Sequence, residues 1–305
     1  MNDFASAAMM RLIGAGMRRQ GLLLRAPPSG RAAHVPLQDK RALLAQLWQS
    51  HGPGALLRIG EAVNDLPEEP TLIALALARD PLDLLARWQK LERFVHSRHR
   101  VVIESSAAGQ MSARHVSLDQ TQAPHAAEDL LIFGLLVVLM ERIGAADVKA
   151  RAHEAQGWMR LRGQWQGDGS VEATDTWHIV WQPSAAAPRA EKADGQDLAG
   201  LIAAVRERLF ADPGRAWTVQ SLADELALSK RTLQRQLAAS GQSFRDLVAQ
   251  ARLARSARLL SSSRMSPSEI GYVCGFSDQA HFTREFKRST AFTPALYRAE
   301  FAATQ

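Results

Sequence analysis

The spacing of apolar residues in the first part of the chain predicts several helices. Residues 40–63 place leucines three and four positions apart, and the break at His51–Gly54 divides them into two helical stretches. Pro81 begins another helix, since proline is favoured at the first helical position. Residues 126–144 are apolar on nearly every helical face, so we expect a helix that is buried on all sides.

The same part of the chain also contains segments with the two-residue period of strands. Residues 101–105 and 111–118 flank Gly109 and predict a hairpin, and residues 176–182 predict a later strand. The buried helix would then cover this sheet. We therefore predict an α+β amino-terminal domain.

A change of composition marks a domain boundary. Residues 183–197 contain two prolines and one glycine but no large apolar residue, which indicates an exposed, flexible linker. The predicted domains are residues 1–182 and residues 198–305, in line with a length of 305 residues and about 100 to 200 residues per domain.

Capping residues predict an all-α carboxy-terminal domain. Thr218 and Ser229 can each cap a short helix, and only a tight turn separates the two. The arrangement recurs at Ser266, which begins a capping box, and at Asp278. A helix over residues 243–260 lies between the pairs. The pattern predicts two helix-turn-helix units joined by one linker helix.

Within each predicted unit, apolar residues at i and i+4 orient the second helix. Leu233 and Leu237 would anchor the first such helix, and Phe282 and Phe286 the second. The polar residues between them would face outward. On the helix that begins at Ser266, Ile270 and Val273 are expected to form the buried side.

Charge separates the two predicted domains. The formal net charge is +6, and all of it lies beyond residue 200, where 15 basic residues stand against nine acidic ones. A basic domain attached to a neutral one is typical of a protein that binds a polyanion with one part. The charge alone does not show whether this polyanion is DNA, RNA or an acidic protein partner.

Other observations exclude several protein classes. One cysteine, Cys274, excludes a disulfide framework and indicates a buried core residue. The longest apolar run, residues 130–140, is too short to span a bilayer, and the first twenty residues lack the apolar core of a signal peptide. We therefore expect a cytoplasmic protein without contact with a membrane.

No pattern of catalytic or cofactor-binding residues is present. Phosphate-binding glycine loops and the common hydrolase motifs are missing, so we expect no enzyme activity and no cofactor. His96 and His99 could share a metal on one helix face, but no third ligand follows at a suitable spacing, and a polar helix end is the favoured interpretation. Glu104 and His115 could face a ligand cavity, but water is favoured.

The carboxy-terminal residues resemble the DNA-binding domain of the AraC/XylS family of bacterial transcription regulators. The likeness runs through Ser229-x-Arg231-x-Leu233-x-Arg235 and is strongest over residues 270–298. It departs from the family at two positions, where Gly271 replaces the usual alanine and Ala291 replaces a common glycine.

The resemblance implies which side chains contact DNA. Base-edge contacts are implied for Arg231, Gln234 and Arg235 in the first unit and for Gln279, His281, Thr283 and Arg284 in the second. Arginine can donate two hydrogen bonds to guanine, and glutamine can pair with adenine. Phosphate contacts are expected from Lys230, Ser277, Lys287 and Arg288.

The amino-terminal residues resemble, more weakly, the sensor half of a subgroup that includes ornithine-utilisation, arginine-utilisation and quorum-sensing regulators. The likeness lies in residues 54–118. It implies a domain that binds a small effector and forms a homodimer, and it assigns no ligand residues. RNA polymerase is a further partner consistent with this class of regulator.

Two other functions remain open from the sequence. The protein could be an architectural DNA-binding protein that needs no effector. It could also be an enzyme that the carboxy-terminal domain directs to DNA, although the missing catalytic motifs argue against this.

Overall fold

A computed structural model describes residues 3–22, 34–66, 69–95, 98–119, 122–153, 156–167, 173–182 and 198–302. Contacts divide the chain into two compact units, which are Met1–Pro67, Leu75–Pro188 and Arg288–Ala291 in one, and Glu68–Ala74, Arg189–Lys287 and Phe292–Gln305 in the other. The predicted linker, residues 183–197, lies outside the described residues.

The amino-terminal part contains the predicted mixture of helices and strands. A short antiparallel pair joins β1 (Phe4–Ser6) and β2 (His34–Pro36). The helices are α1 (Ala7–Arg19), α2 (Leu37–His51), α3 (Pro53–Ile59), α4 (Pro70–Ala76), α5 (Pro81–Val95) and α6 (Ala126–Arg142). A 3-10 turn, Gly60–Asp65, follows α3.

One antiparallel sheet follows, in the order β3-β4-β8-β5-β6-β7. Its strands are β3 (His99–Ala107), β4 (Gln110–Ser117), β5 (Ala146–Arg151), β6 (Arg160–Leu161), β7 (Gln164–Trp165) and β8 (Thr176–Gln182). Gly109 has φ +81° in the turn between β3 and β4, a value that favours glycine. The predicted hairpin and the α+β class are confirmed.

Helix α6 is the centre of the amino-terminal core, as its apolar pattern predicts. Its residues 127–140 are buried without a break. Two glycines allow another backbone to approach it closely, because a Cβ atom on Gly60 would lie 2.5 Å from the carbonyl oxygen of Gly134. A side chain at Gly60 would therefore separate α6 from the turn that follows α3, and one at Gly134 would separate α6 from Leu57 of α3.

The carboxy-terminal part is entirely helical over its described residues. The helices are α7 (Leu198–Ala211), α8 (Val219–Glu225), α9 (Lys230–Ala239), α10 (Phe244–Ser262), α11 (Pro267–Val273), α12 (Gln279–Thr290) and α13 (Pro294–Phe301). Thr218, Ser229 and Ser266 each accept a hydrogen bond from a backbone N–H at the start of a helix, so these predicted caps are confirmed. Ser243 caps α10 in the same way.

One side chain of this part lies elsewhere than expected, and one arginine is partly buried. Val273 is 44% exposed, whereas Ile270 and Cys274, one helical turn apart, are buried. Arg252 of α10 is half-buried, and its Nε atom donates to the carbonyl oxygen of Pro213 at 3.2 Å. An arginine near a helix interface can bury its stem while its guanidinium binds a backbone carbonyl.

Candidate nucleic-acid interface

Helix α9 is short and amphipathic, and Ser229 caps its first turn. The Ser229 hydroxyl accepts a hydrogen bond from the N–H of Thr232 at 3.0 Å. Leu233 and Leu237 are buried in the core that includes Leu222 of α8. Since residues four apart share one face of a helix, the polar residues between these leucines are directed away from the core.

The outward face of α9 carries uncompensated positive charge. Lys230, Arg231, Gln234 and Arg235 are all exposed. None of these four side chains forms a hydrogen bond or an ion pair with another residue that the structure describes. A row of three unpaired cations and one amide on a single short helix is suited to a polyanion.

Helix α12 has a similar core face but a more constrained beginning. Phe282 and Phe286 are fully buried, with ring centroids 5.6 Å apart. The Asp278 carboxylate accepts from the N–H of His281 at 2.7 Å, and the Ser277 hydroxyl lies 3.0 Å from Nδ1 of the same histidine. Three side chains therefore define the first turn of α12 before any ligand is bound.

The sequence-predicted residues of α12 fall into two groups. Gln279, Thr283 and Arg284 line one surface depression of about 440 Å³, together with Ala280. His281 is instead half-buried, with its ring 5.6 Å from that of Phe276. Its Nδ1 atom is occupied by Ser277, so only Nε2 is left to contact a base.

The residues expected to contact phosphates differ in exposure. Lys230, Ser277 and Lys287 are exposed, whereas Arg288 is half-buried. The Ser277 hydroxyl also lies 3.0 Å from a carboxylate oxygen of Asp278, which lowers its availability as a donor. Lys230 and Lys287 are therefore the most accessible of the four.

Comparisons with known proteins identify the same region of the chain. A family described as a helix-turn-helix domain matches residues 222–300. The regulator VirS of Mycobacterium tuberculosis is 38% identical over 102 residues, which are 33% of this chain and 29% of VirS. The activator RhaS of Escherichia coli is 38% identical over 95 residues, which are 31% of this chain and 33% of RhaS.

The carboxy-terminal domain is therefore similar to the helix-turn-helix domains of AraC/XylS-type regulators. A solved AraC-type DNA-binding domain from Chromobacterium violaceum is also similar, with 25% identity and a TM-score of 0.32, and the match covers 34% of this chain and 94% of that one. The chain spans only about a third of the length of the curated relatives named above.

The AraC/XylS-type domain accommodates its two departures from the family in different ways. A Cβ atom on Gly271 would lie 3.3 Å from Cβ of Phe282, so alanine at this position requires only a small adjustment. Ala291 has φ +72°, in the left-handed region that favours glycine. The first departure relieves a tight contact, and the second imposes backbone strain.

The only cysteine of the AraC/XylS-type domain is a core residue, as predicted. Cys274 is fully buried, and burial raises the pKa of its thiol. A buried thiol with a raised pKa is a poor nucleophile and a poor redox sensor.

The amino-terminal candidates are placed differently from their predictions. His99 lies on β3, not on a helix beside His96, and is buried; His96 itself lies outside the described residues. His115 is buried where water was expected, because Nδ1 lies 2.7 Å from Oδ1 of Asp129 and its ring stacks on Trp177. Glu104 is exposed, as predicted.

No group of three or more histidine, cysteine or acidic residues is placed to hold a metal ion in the part of the chain that the structure describes. Likewise, none of the described helices is both long enough and apolar enough to cross a membrane.

Proposed function

We propose that this protein is a sequence-specific, DNA-binding transcription regulator. The observation that carries the proposal is the outward face of α9, where Lys230, Arg231 and Arg235 are exposed and lack acidic partners among the described residues. The family of the carboxy-terminal domain supports the same function.

The proposed binding domain contains two helix-turn-helix units, α8 with α9 and α11 with α12, joined by α10. Helices α9 and α12 would enter successive major grooves, which lie about 34 Å apart on one face of the duplex. One chain could then read a site that other regulators read as a dimer. The proposed base-reading residues are Arg231, Gln234, Arg235, Gln279, His281, Thr283 and Arg284.

Among these, Arg235 and Arg284 are the strongest candidates for base contacts. Both are exposed and lie near the middle of their helices. A guanidinium can donate two parallel hydrogen bonds to O6 and N7 of guanine, which is worth about 1–3 kcal/mol of discrimination against another base. His281, tied to Ser277, would contribute through its remaining nitrogen alone.

The remaining proposed residues would position the domain without reading sequence. The ammonium groups of Lys230 and Lys287 are free to reach phosphate oxygens on either side of the groove, and Ser277 and Arg288 would add contacts. Such contacts raise affinity for all DNA sequences equally.

The amino-terminal domain would control this binding. We propose that it binds a small effector, forms a homodimer and thereby shifts the population of DNA-competent arrangements in the cytoplasm. Dimerisation alone would raise the local concentration of the second DNA-binding domain to roughly millimolar values, which strengthens binding to paired sites.

Two substitutions test the proposal on DNA sites selected from a random pool with the full chain. Arg235→Ala is expected to weaken binding to the selected site by about 1–3 kcal/mol and to relax the preference at one base pair. Lys287→Ala is expected to weaken selected and scrambled DNA by the same factor. Arg18→Ala, which removes an exposed arginine at the end of α1, is the matched control and should change neither.

The outcomes separate the assigned roles. If Arg235→Ala weakens selected and scrambled DNA equally, the assignment of Arg235 to base reading is wrong. If the full chain selects no DNA sequence at all, the proposed function is wrong.

A further inference from the structure

A cavity in the amino-terminal part lies between α2 and the segment that leads into α6. Its volume is about 360 Å³, at the small end of the range of ligand pockets. The apolar lining comes from Leu44, Ala45 and Ala123, and the polar lining includes Arg41, Gln122 and His125. Apolar walls with a few polar groups are typical of a site for a small organic molecule.

The inner end of this cavity places two basic side chains beside one buried carboxylate. Glu128, which also lines the cavity, is fully buried, and its carboxylate lies 3.0 Å from Nζ of Lys40 and 3.4 Å from Nε of Arg41. Burial alone would raise the pKa of Glu128, but Lys40 and its cationic neighbours lower it to about 2, so the group is ionised. One carboxylate thus faces two basic side chains.

The histidine behind this group adds no charge at neutral pH. His99 lies 3.7 Å from the Glu128 carboxylate, and burial lowers its pKa to about 3. Burial also lowers the pKa of Lys40, while Glu128 opposes that change. The Arg41 guanidinium stays charged under all these conditions, and its side chain is 31% exposed.

The three polar groups of the lining are available as donors. Nε of Arg41 faces Glu128, and its terminal nitrogens form only long contacts, with Nη1 3.5 Å from Oε1 of Gln122 and Nη2 3.4 Å from Nε2 of His99. Nδ1 of His125 accepts from the N–H of Ala127 at 3.1 Å, so the neutral ring carries its proton on Nε2. Oε1 of Gln122 accepts from Arg98 at 2.9 Å, which leaves its amide nitrogen as the free group.

From this arrangement we propose that the cavity binds a small organic monocarboxylate, with the carboxylate on Arg41 and the apolar body against Leu44, Ala45 and Ala123. The inference deepens the proposed function, because it assigns a site and a chemical class to the effector. Planar guanidinium and carboxylate groups can form two parallel hydrogen bonds, which explains the choice of a carboxylate.

The charge count favours a monoanion over a dianion. Arg41 supplies one positive charge beyond the Lys40–Glu128 pair, so one carboxylate neutralises the cavity and a phosphate dianion would leave a negative charge near buried Glu128. The volume limits the molecule to a short-chain or single-ring acid.

The test measures thermal unfolding of the full chain with hexanoate and phenylacetate and with their uncharged amides, hexanamide and phenylacetamide. We expect at least one acid to raise the Tm in proportion to the logarithm of its concentration at millimolar levels, and neither amide to do so. Equal shifts with acids and amides, or no shift with either acid, would overturn the proposal.

Variants then locate the binding. Arg41→Met removes the charge, and Ala45→Phe fills the cavity while leaving every charged group in place. Both are expected to weaken binding of the stabilising acid at least tenfold by calorimetry, whereas Arg18→Ala should bind it as the native chain does. If Ala45→Phe folds and still binds the acid with native affinity, the site lies elsewhere.

The two proposals fail in different ways. Binding of selected DNA without any acid should be unchanged in Arg41→Met and Ala45→Phe, because neither residue belongs to the proposed DNA-binding surface. Native DNA affinity together with no response to either acid would reject the carboxylate site and leave the DNA-binding function standing.

Discussion

The two parts of the chain place their charged residues in opposite environments. The amino-terminal part buries Lys40, Glu128 and Asp129 and pairs each one with a neighbour. The carboxy-terminal domain instead exposes Arg231 and Arg235 of α9 without a partner in the described part of the chain. Both parts contain many ionisable residues, so composition alone does not distinguish them.

The difference teaches what each set of charges can do. A buried pair has lost its hydration and depends on its partner, so removing one member is costly to folding. An exposed, unpaired cation contributes little to stability and keeps its charge available for a partner. We therefore expect substitutions in the first set to change unfolding and substitutions in the second set to change DNA binding.

The largest effect is expected for Lys40→Met, which leaves ionised Glu128 buried without its nearest cation. Breaking such a pair costs about 3–5 kcal/mol in the free energy of unfolding, measured by urea denaturation at pH 7. The double variant with Glu128→Leu removes both charges and should regain most of that loss. A single variant as stable as the native chain would contradict the importance of the pair.

The next effect concerns Glu92. Burial raises the pKa of its carboxyl group to about 7, although hydrogen bonds donated by Val101 and Trp88 oppose this change. A raised pKa stabilises the fold fully below the ordinary value of 4.5, and this contribution is lost as the pH rises through 7. The loss is about 2–3 kcal/mol by pH 8.

Glu92→Gln keeps the accepting oxygen and removes the titration, so it isolates this contribution. The variant should unfold at higher urea concentration than the native chain at pH 8 and show a smaller decrease in stability between pH 5 and pH 8. Parallel stability profiles for the two proteins would show that Glu92 does not titrate in this range.

Arg235→Ala should show the opposite pattern to Lys40→Met. Since Arg235 is exposed and unpaired among the described residues, its removal should leave the free energy of unfolding within about 0.5 kcal/mol of the native value. The same variant should lose about 1–3 kcal/mol of affinity for selected DNA. A large loss of stability would mean that the DNA defect reports misfolding.

The smallest effect concerns the backbone and involves no charge. Ala291→Gly relieves a left-handed conformation at φ +72° and should stabilise the chain by about 0.5–1 kcal/mol. Ala299→Gly, on the exposed side of α13, is the control and should destabilise it by a similar amount. Destabilisation by both changes would show that Ala291 is not strained.

Local signals in the sequence predict most of the secondary structure. The capping box of Ser266 and Glu269 correctly begins α11, and Gly109 correctly marks the turn of the hairpin. These features depend on residues a few positions apart, which is why they are readable from the sequence. The family resemblance of residues 270–298 indicated which residues of α12 face outward, and their individual contacts stay predictions.

The errors concern side chains whose environment depends on distant residues. His115 is buried because Asp129, on α6, supplies its partner, and no spacing within the hairpin indicates this. One signal for the buried pair was present, since Lys40 lies on the apolar stripe formed by Leu37, Leu44 and Leu47. A lysine at such a position requires a buried anion, and Glu128 interrupts the apolar pattern of α6.

The salt dependence of DNA binding tests the central claim most directly, because exposed cations that contact phosphates release bound counterions. With about six to eight phosphate contacts, the logarithm of the affinity of the full chain for its selected DNA should fall with the logarithm of salt concentration at a slope of about −5 to −7. The same experiment on scrambled DNA should show weaker affinity with a similarly steep slope. A slope near zero on both DNAs would contradict the account, since the exposed charges of α9 and α12 would then contribute nothing to binding.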